Sequence, residues 1–307
     1  MPLVEFCGHM PLKSGNKMVG FSVLGHKILQ SETNLQEWIG KQQIREAKID
    51  ERHTELLAVT LGKPVPQAGD PLPECWHWAW MNDALPMDQL GRDGHPKRGG
   101  FLPPVPLPRR MWAGGSISFA TPMLIGDAVK KTSTITNVAQ KSGKSGPLCI
   151  VTIRHDFTCG DTLRLSEQQN LVYREDPSPD APKPPAPTPP TGETIQDEVD
   201  PNPVLMFRYS ALTFNGHRIH YDVDYARKVE GYPDLVFHAP LTALNLCDLG
   251  KRLNDANQPK SFSYRATSPL FANKKFKICA KKENEITTVW AETPEGGMAM
   301  QGTLEFS

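Results

Sequence analysis

No apolar run in the 307-residue sequence approaches the roughly 20 residues that a membrane-spanning helix requires, and only 38% of the residues are hydrophobic. A water-soluble chain is expected. Charge of one sign is not in excess either, since 34 Lys plus Arg balance 34 Asp plus Glu. No overall field therefore draws the protein to nucleic acid or to an anionic membrane. Cysteine is sparse and unpaired in sequence: Cys7, Cys75, Cys149, Cys159, Cys247 and Cys279 stand singly. Without a CxxC pair there is no signature of a zinc or dithiol redox site, and buried thiols in a reducing compartment are the plainer reading. Residues 6–31 lack acidic groups and carry Lys13, Lys17 and Lys27, but they have no arginine and no sustained apolar core of a secretory signal. A transit peptide, a tag and a mis-assigned start are the open readings of residues 1–32, which are set aside as an N-terminal extension of unknown role.

What the sequence has in quantity is proline, and it concentrates between Asp176 and Pro203 around APKPPAPTPP. Such a stretch donates too few backbone hydrogen bonds for a helix or a central strand, so it reads as a semi-extended connector. It divides the chain into an N-terminal half, 33–175, and a C-terminal half, 204–307. A weak repeat links the two. SFATPMLIGDAVKKT at Ser118–Thr132 and SYRATSPLFANKKFKI at Ser263–Ile278 share the order aromatic, Thr or Ser, Pro, apolar pair and polar turn. Each is followed by alternating apolar and polar residues broken by Gly-, Lys- or Asn-rich turns, the pattern of antiparallel hairpins.

Helices are expected ahead of each sheet. Thr33 can cap one running through Trp38, Ile39, Ile44 and Ala47, resuming after a break in TELLAVTLG. In the second half Asp222 can cap a short helix through Tyr225, Ala226 and Val229. Pro240 suits a first helical position, LTALNLCDL is apolar almost all round, and Gly250 is placed to end that helix, which should be buried.

Reactive side chains are densest between Phe207 and Leu246, where Asn215, His217, Arg218, His220, Tyr221 and Asp222 crowd one short loop. Loops on rigid scaffolds commonly carry function, and one this polar needs a full set of hydrogen bonds if buried. Three readings of His217 and His220 compete: metal ligands, for which no third ligand stands at convincing spacing; structural histidines held by backbone carbonyls; or acid–base groups that exchange protons near neutral pH.

FNGHRIHYD, within that loop, resembles the motif of the hydroxyacyl-thioester dehydratase type 2 family in the wider MaoC-like, (R)-specific enoyl-CoA hydratase group. There a loop of the form G-D-x-N-P-L-H sets an acid and a histidine five apart. Aligning the last histidine with His220 puts Asn215 at the acid, His217 at the asparagine and Arg218 at the proline. FLPPVPLPRRMWAGG, at Phe101–Gly115, resembles the segment preceding the sheet in this family and in the mesaconyl-C4-CoA and itaconyl-CoA hydratases. The resemblance runs from about Thr33 to Ser307. It implies an α+β tandem hot-dog fold, each half a central helix wrapped by an antiparallel sheet, with one catalytic loop, in the C-terminal half.

The resemblance also implies hydration or dehydration of an acyl-CoA thioester. His220 would accept a proton from water and Asn215 would hold that water through its amide oxygen. Ala239 N–H, at a helix start, would stabilise charge on the thioester oxygen. Asp222 is either the missing carboxylate or a helix cap. Arg218 or Arg110 would pair with the free carboxylate of a short branched dicarboxylic acyl group, unless Arg110 instead anchors the loop to the sheet. Trp112 and Phe214 either line the pocket or pack as core. Lys130, Lys131, Lys274 and Lys275 occupy equivalent places in the two repeats and either meet the phosphates of coenzyme A or are solvated strand ends.

No metal and no cofactor are expected, coenzyme A being part of the substrate, and no nucleic-acid or membrane partner. Pairing of hot-dog sheets points to a homodimer, and the compartment would be cytoplasmic, or the mitochondrial matrix in a eukaryote. A dehydratase of fatty acid synthesis, a hot-dog thioesterase and a non-catalytic thioester binder stand as alternatives.

Overall fold

A computed structural model describes residues 34–143, 146–176 and 185–306. The N-terminal extension and residues 177–184 of the connector lie outside the described residues. The rest is dominated by strands. The alternating stretches found in the sequence form β1 (Gln42–Lys48), β2 (Arg109–Phe119), β3 (Ala128–Gly143), β4 (Gly146–Cys159) and β5 (Thr162–Arg174), then β6 (Ile195–Val199), β7 (Ser261–Ala266), β8 (Phe276–Glu283), β9 (Ile286–Glu292) and β10 (Met298–Glu305). All pair antiparallel in one ten-stranded sheet, in the order β1-β3-β4-β5-β2-β7-β10-β9-β8-β6.

That order is a repeat read outward from the middle, with β1 to β5 of the first half matching β6 to β10 of the second. The repeated motif marks the same turn twice: Leu124 bridges to Pro71, and Phe271 bridges to Val236. The halves join where β2 runs against β7, Ser116 opposite Ser263. Here WAGG acquires a physical reason. At Gly114 (φ +149°) β2 bulges between its two neighbours, and a Cβ there would meet the carbonyl of Tyr264 across the seam.

Among the described residues four α-helices accompany the sheet: α1 (Glu51–Leu61), α2 (Pro203–Leu212), α3 (Val223–Lys228) and α4 (Ala239–Arg252). Among them α4 is the central helix of its half. Its apolar residues Leu241, Leu244, Leu246 and Leu249 are buried in the core it shares with Phe262, Val289 and Leu304, where a Leu→Ala change costs about 2–5 kcal/mol. Gly250 does not end this helix, which runs on to Arg252. The glycine instead lets the helix approach the sheet, because a Cβ there would press on Leu304 and Val289. In the first half the stretch that follows Leu72 holds one 3-10 turn, Trp76–Ala79, and α1 lies against α2 of the second half.

Two other expectations change. Asn34, not Thr33, caps the first element, a 3-10 turn of Leu35–Trp38, and Gln42–Lys48 is an edge strand on β3 rather than a helix. Backbone pairing with β3 outweighs the modest helical preference of QQIREAK. The connector also ends earlier than its prolines suggest, since Ile195–Val199 pairs with β8 as the opposite edge of the sheet. Proline-rich flanks are compatible with an edge. Among the described residues, no helix is long and apolar enough to cross a membrane.

Candidate active site

The polar loop follows α2. Three backbone bonds close the helix: Thr213 N–H to Tyr209, Phe214 N–H to Ala211 and Asn215 N–H to Ser210. This is a Schellman closure with Phe214 in the left-handed position (φ +48°) usually given to glycine. Phe214 is consequently exposed, neither core nor part of a closed pocket wall. Asn215 then makes a local turn, its Oδ1 accepting the backbone N–H of His217 at 3.0 Å. The oxygen expected to hold water thus already closes the loop, and Asn215 retains one Oδ1 lone pair and its amide N–H groups.

Arg218 corrects an expectation more firmly. Its guanidinium meets Asp222 Oδ2 at 2.7 and 3.1 Å, donates to the carbonyl of Arg92 at 3.1 Å and lies over the Tyr225 ring at 4.2 Å. A side chain so engaged braces the loop and is not free to bind a substrate carboxylate. Asp222 is the helix cap, its Oδ1 accepting Tyr225 N–H at 2.9 Å. It is not the missing catalytic carboxylate.

His220 is buried behind this brace. Its Nδ1 lies 2.7 Å from the carbonyl of Val236. A carbonyl only accepts, so Nδ1 carries the proton and Nε2 keeps its lone pair. Burial pushes the imidazole down to about pKa 4 against the help of that carbonyl, so the ring is neutral at physiological pH. On one face it stacks on His238, which caps α4 in sequence and meets Ser210 Oγ at 2.7 Å through Nε2. On its edge stands His217, 5.5 Å away between ring centroids. Ala239 N–H, the first of α4, has no acceptor among the described residues. As the first residue of α4, next to His238, it carries an orphan donor at the positive end of the helix dipole.

The first half contributes a group that the sequence did not single out. The loop Gly91–His95 docks backbone to backbone on the polar loop, with Arg218 N–H donating to the carbonyl of Asp93 at 2.9 Å. Gly94 (φ +85°) lies so near Gly216 that any side chain at Gly94 would collide with the Gly216 carbonyl. Asp93 holds His95 twice, through the backbone N–H and through Nδ1, each at 3.1 Å. The His95 ring lies 4.2 Å from that of His217. One donor atom from each of Asp93, His95 and His217 lies within 4.8 Å of the others, so a third ligand does exist in space although none stands nearby in sequence. The sequence signal available was GRDGH, an acid and a histidine two apart between turn-forming glycines.

Charges in this cluster oppose one another. Burial alone would raise Asp93, but the His95 hydrogen bond and charge, with Arg110, hold its carboxyl well below the usual range. Burial and Arg110 lower His95, and Asp93 offsets part of that. His217 is driven down by burial and then by His95 and His220. Arg110 forms no ion pair among the described residues. Its neighbour Arg109 is the anchor, meeting Glu230 at 2.6 Å and Tyr232 Oη at 2.7 Å from β2. Trp112 stacks on Tyr264 at 4.8 Å and packs with the core. Lys274 and Lys275 pair with Glu295 and Glu198, and Lys131 lies over Phe157.

The family model for hydroxyacyl-thioester dehydratase type 2 matches residues 75–272. The chain is 41% identical over 277 residues to the mesaconyl-C(4)-CoA hydratase of Chloroflexus aurantiacus, covering 90% of this chain and 99% of that protein. Among solved structures it resembles a MaoC-like dehydratase from Phytophthora capsici (TM-score 0.64, 16% identity, 89% of this chain and 98% of that one). It also resembles a Mycobacterium tuberculosis protein described as having a double hotdog fold (TM-score 0.52, 12% identity, 87% and 96%). The fold is therefore the tandem hot-dog. This chain belongs to the hydroxyacyl-thioester dehydratase type 2 family and is a hydro-lyase.

Proposed function

We propose that the protein hydrates the double bond of a short, branched, dicarboxylic enoyl-CoA such as mesaconyl-C4-CoA or itaconyl-CoA, with His220 as base. The observation that carries this reading is the 2.7 Å bond from His220 Nδ1–H to Val236, which leaves Nε2 unprotonated beside the first turn of α4. In the forward direction water attacks the β carbon as its proton passes to His220 Nε2. The π pair moves onto the thioester oxygen, where Ala239 N–H and the helix dipole stabilise the enolate. The α carbon then takes a proton and the enolate collapses to product. The conjugated thioester is its own electron sink, so the reaction calls for neither a metal nor a redox cofactor.

Asn215 acts chiefly by shaping the loop, with its remaining lone pair toward water. Arg110 is the better partner for the free carboxylate, since Arg218 is spent on Asp222. The relative's substrate and an Arg110 that forms no ion pair among the described residues together favour a dicarboxylic acyl group over the fatty-acyl alternative.

The test follows the enoyl-thioester absorbance with mesaconyl-, itaconyl- and crotonyl-CoA, alongside a free-thiol assay. Loss of absorbance without thiol release, fastest for a dicarboxylic substrate and abolished in His220→Ala, supports the reading. His220→Ala should cost more than Asn215→Ala. Thiol release would indicate a thioesterase, and no change with any substrate a binder.

A further inference from the structure

Hydration needs two proton movements, one from water and one to the α carbon, and at Asn215 the loop carries an amide that can perform neither. The carboxylate nearest in sequence, Asp222, is committed to Arg218 and to the cap of α3. A carboxylate–imidazole pair does reach the site, from the other half of the chain. We propose that Asp93 and His95 form the second proton carrier of this active site, with His95 returning to the α carbon the proton that His220 removes from water.

Three observations carry the assignment, which rests on the hydratase reading above. First, Asp93 grips His95 through both carboxylate oxygens, so Nδ1 bears the proton and His95 Nε2 is free to receive and give one. Second, the His217 ring neighbours both others, its centroid 4.2 Å from that of His95 and 5.5 Å from that of His220. Among the described residues, no hydrogen bond reaches His95 Nε2 or either ring nitrogen of His217. The buried His217 therefore lies against His95 on one side and His220 on the other, with its ring nitrogens uncommitted. Third, a quarter of the His95 side chain remains exposed, so a substrate can touch it. The loop that delivers it is fixed on the catalytic loop by the Asp93–Arg218 backbone bond and by the Gly94–Gly216 contact. Placement of that quality is what proton transfer requires.

The proton account closes. Water forms the C–O bond at the β carbon while its proton goes to His220 Nε2, and the π electrons become the enolate. The proton passes through His217 to His95 Nε2, and His95 delivers it to the α carbon as the enolate collapses. All three rings end as they began, neutral, and Asp93 stabilises the transient His95 imidazolium. The same three groups also have the proximity and donor types of a metal site. Both Asp93 oxygens are occupied by His95 N–H groups, however, and the Arg110 guanidinium beside them opposes a second cation.

The experiment uses the full-length protein with whichever enoyl-CoA it turns over fastest. His95→Ala should lower kcat about a hundredfold, the lower end of the range for a lost general acid or base, with KM within twofold. Added imidazole should restore at least tenfold of that loss. Asp93→Asn, which removes the tautomer lock, should lower kcat about tenfold. His95→Gln, which keeps the side-chain bulk, should lose activity as His95→Ala does and retain the wild-type melting curve.

Wild-type kcat in His95→Ala and His95→Gln would overturn the proposal, as would a loss that imidazole does not relieve. Stoichiometric zinc in the purified protein, bound through these residues, would also overturn it. In each of those cases an active wild type and an inactive His220→Ala leave the hydratase reading standing. An inactive wild type fails that reading itself.

Discussion

The rings of His220 and His238 stack 3.8 Å apart between centroids and 19° from parallel. The stack fixes the plane of His220, while the Val236 carbonyl fixes its rotation within that plane. The proposed base is thus restrained on both counts before a substrate arrives. His238→Ala should therefore lower kcat about tenfold, whereas His238→Phe, which keeps a flat ring against His220, should stay within about threefold of wild type. Equal losses in steady-state assays of the two variants would show that His238 acts through something other than the stack.

Gly94 joins the two halves of the site. Its positive φ and its contact with the Gly216 carbonyl leave no space for a side chain, and overpacking of this kind costs about 1–3 kcal/mol, to which left-handed strain adds. Gly94→Ala should lower the urea midpoint and reduce kcat more than tenfold by displacing His95. A variant with wild-type activity and stability would mean that the loop can rest elsewhere without consequence.

Arg110 and Arg218 should separate in kinetics. Arg110→Ala should raise KM for a dicarboxylic acyl-CoA at least tenfold and leave crotonyl-CoA unchanged, because one charge-assisted pair is worth about 1.5–3 kcal/mol. Arg218→Ala, which unties the loop from Asp222 and from Arg92, should reduce turnover of both substrates alike. Measuring both variants on both substrates checks the division.

Acid should weaken the fold through its buried histidines before it reaches the carboxylates. Burial first, and neighbouring charges second, hold His155 and His220 at about pKa 4 in the folded chain. Unfolding frees each to bind a proton near pH 6.5, so the unfolded chain takes up more protons between pH 6.5 and 4. Their contribution is fully present above about pH 6.5 and declines as pH falls toward 4, by roughly 3 kcal/mol each over the whole window. Glu167 behaves differently. Burial would raise it, but His77 and Trp78 hold it at about 2, so its contribution is lost only below the ordinary carboxylate range. Urea unfolding at pH 7.5, 6 and 5 should show falling stability, and His220→Gln should flatten the fall. A flat profile in the wild type would contradict the neutral, buried state of these rings.

Local physics was legible in the sequence. Asp222 caps α3 because a carboxylate three residues before an amide reaches it without help from the rest of the chain. Pro240 starts α4 because its missing N–H costs nothing in a first turn. The alternation of the hairpins and the repeated turn before β3 and β8 likewise depend on neighbours in sequence, so two similar units of helix and antiparallel sheet could be anticipated from them.

Tertiary structure decided whatever depends on partners far along the chain. Gln42–Lys48 became a strand because β3, some ninety residues on, offered its edge. Arg218 was diverted from substrate to bracing by the fold of its own loop against Arg92. His95 entered the site because two glycines, Gly94 and Gly216, let distant backbones touch. The sequence by itself determined the elements, the loop and its histidines, since those follow from propensity, capping and spacing. Only the tertiary structure decided which charges were already spent and which imidazoles faced one another, since those follow from packing between residues that the chain holds far apart.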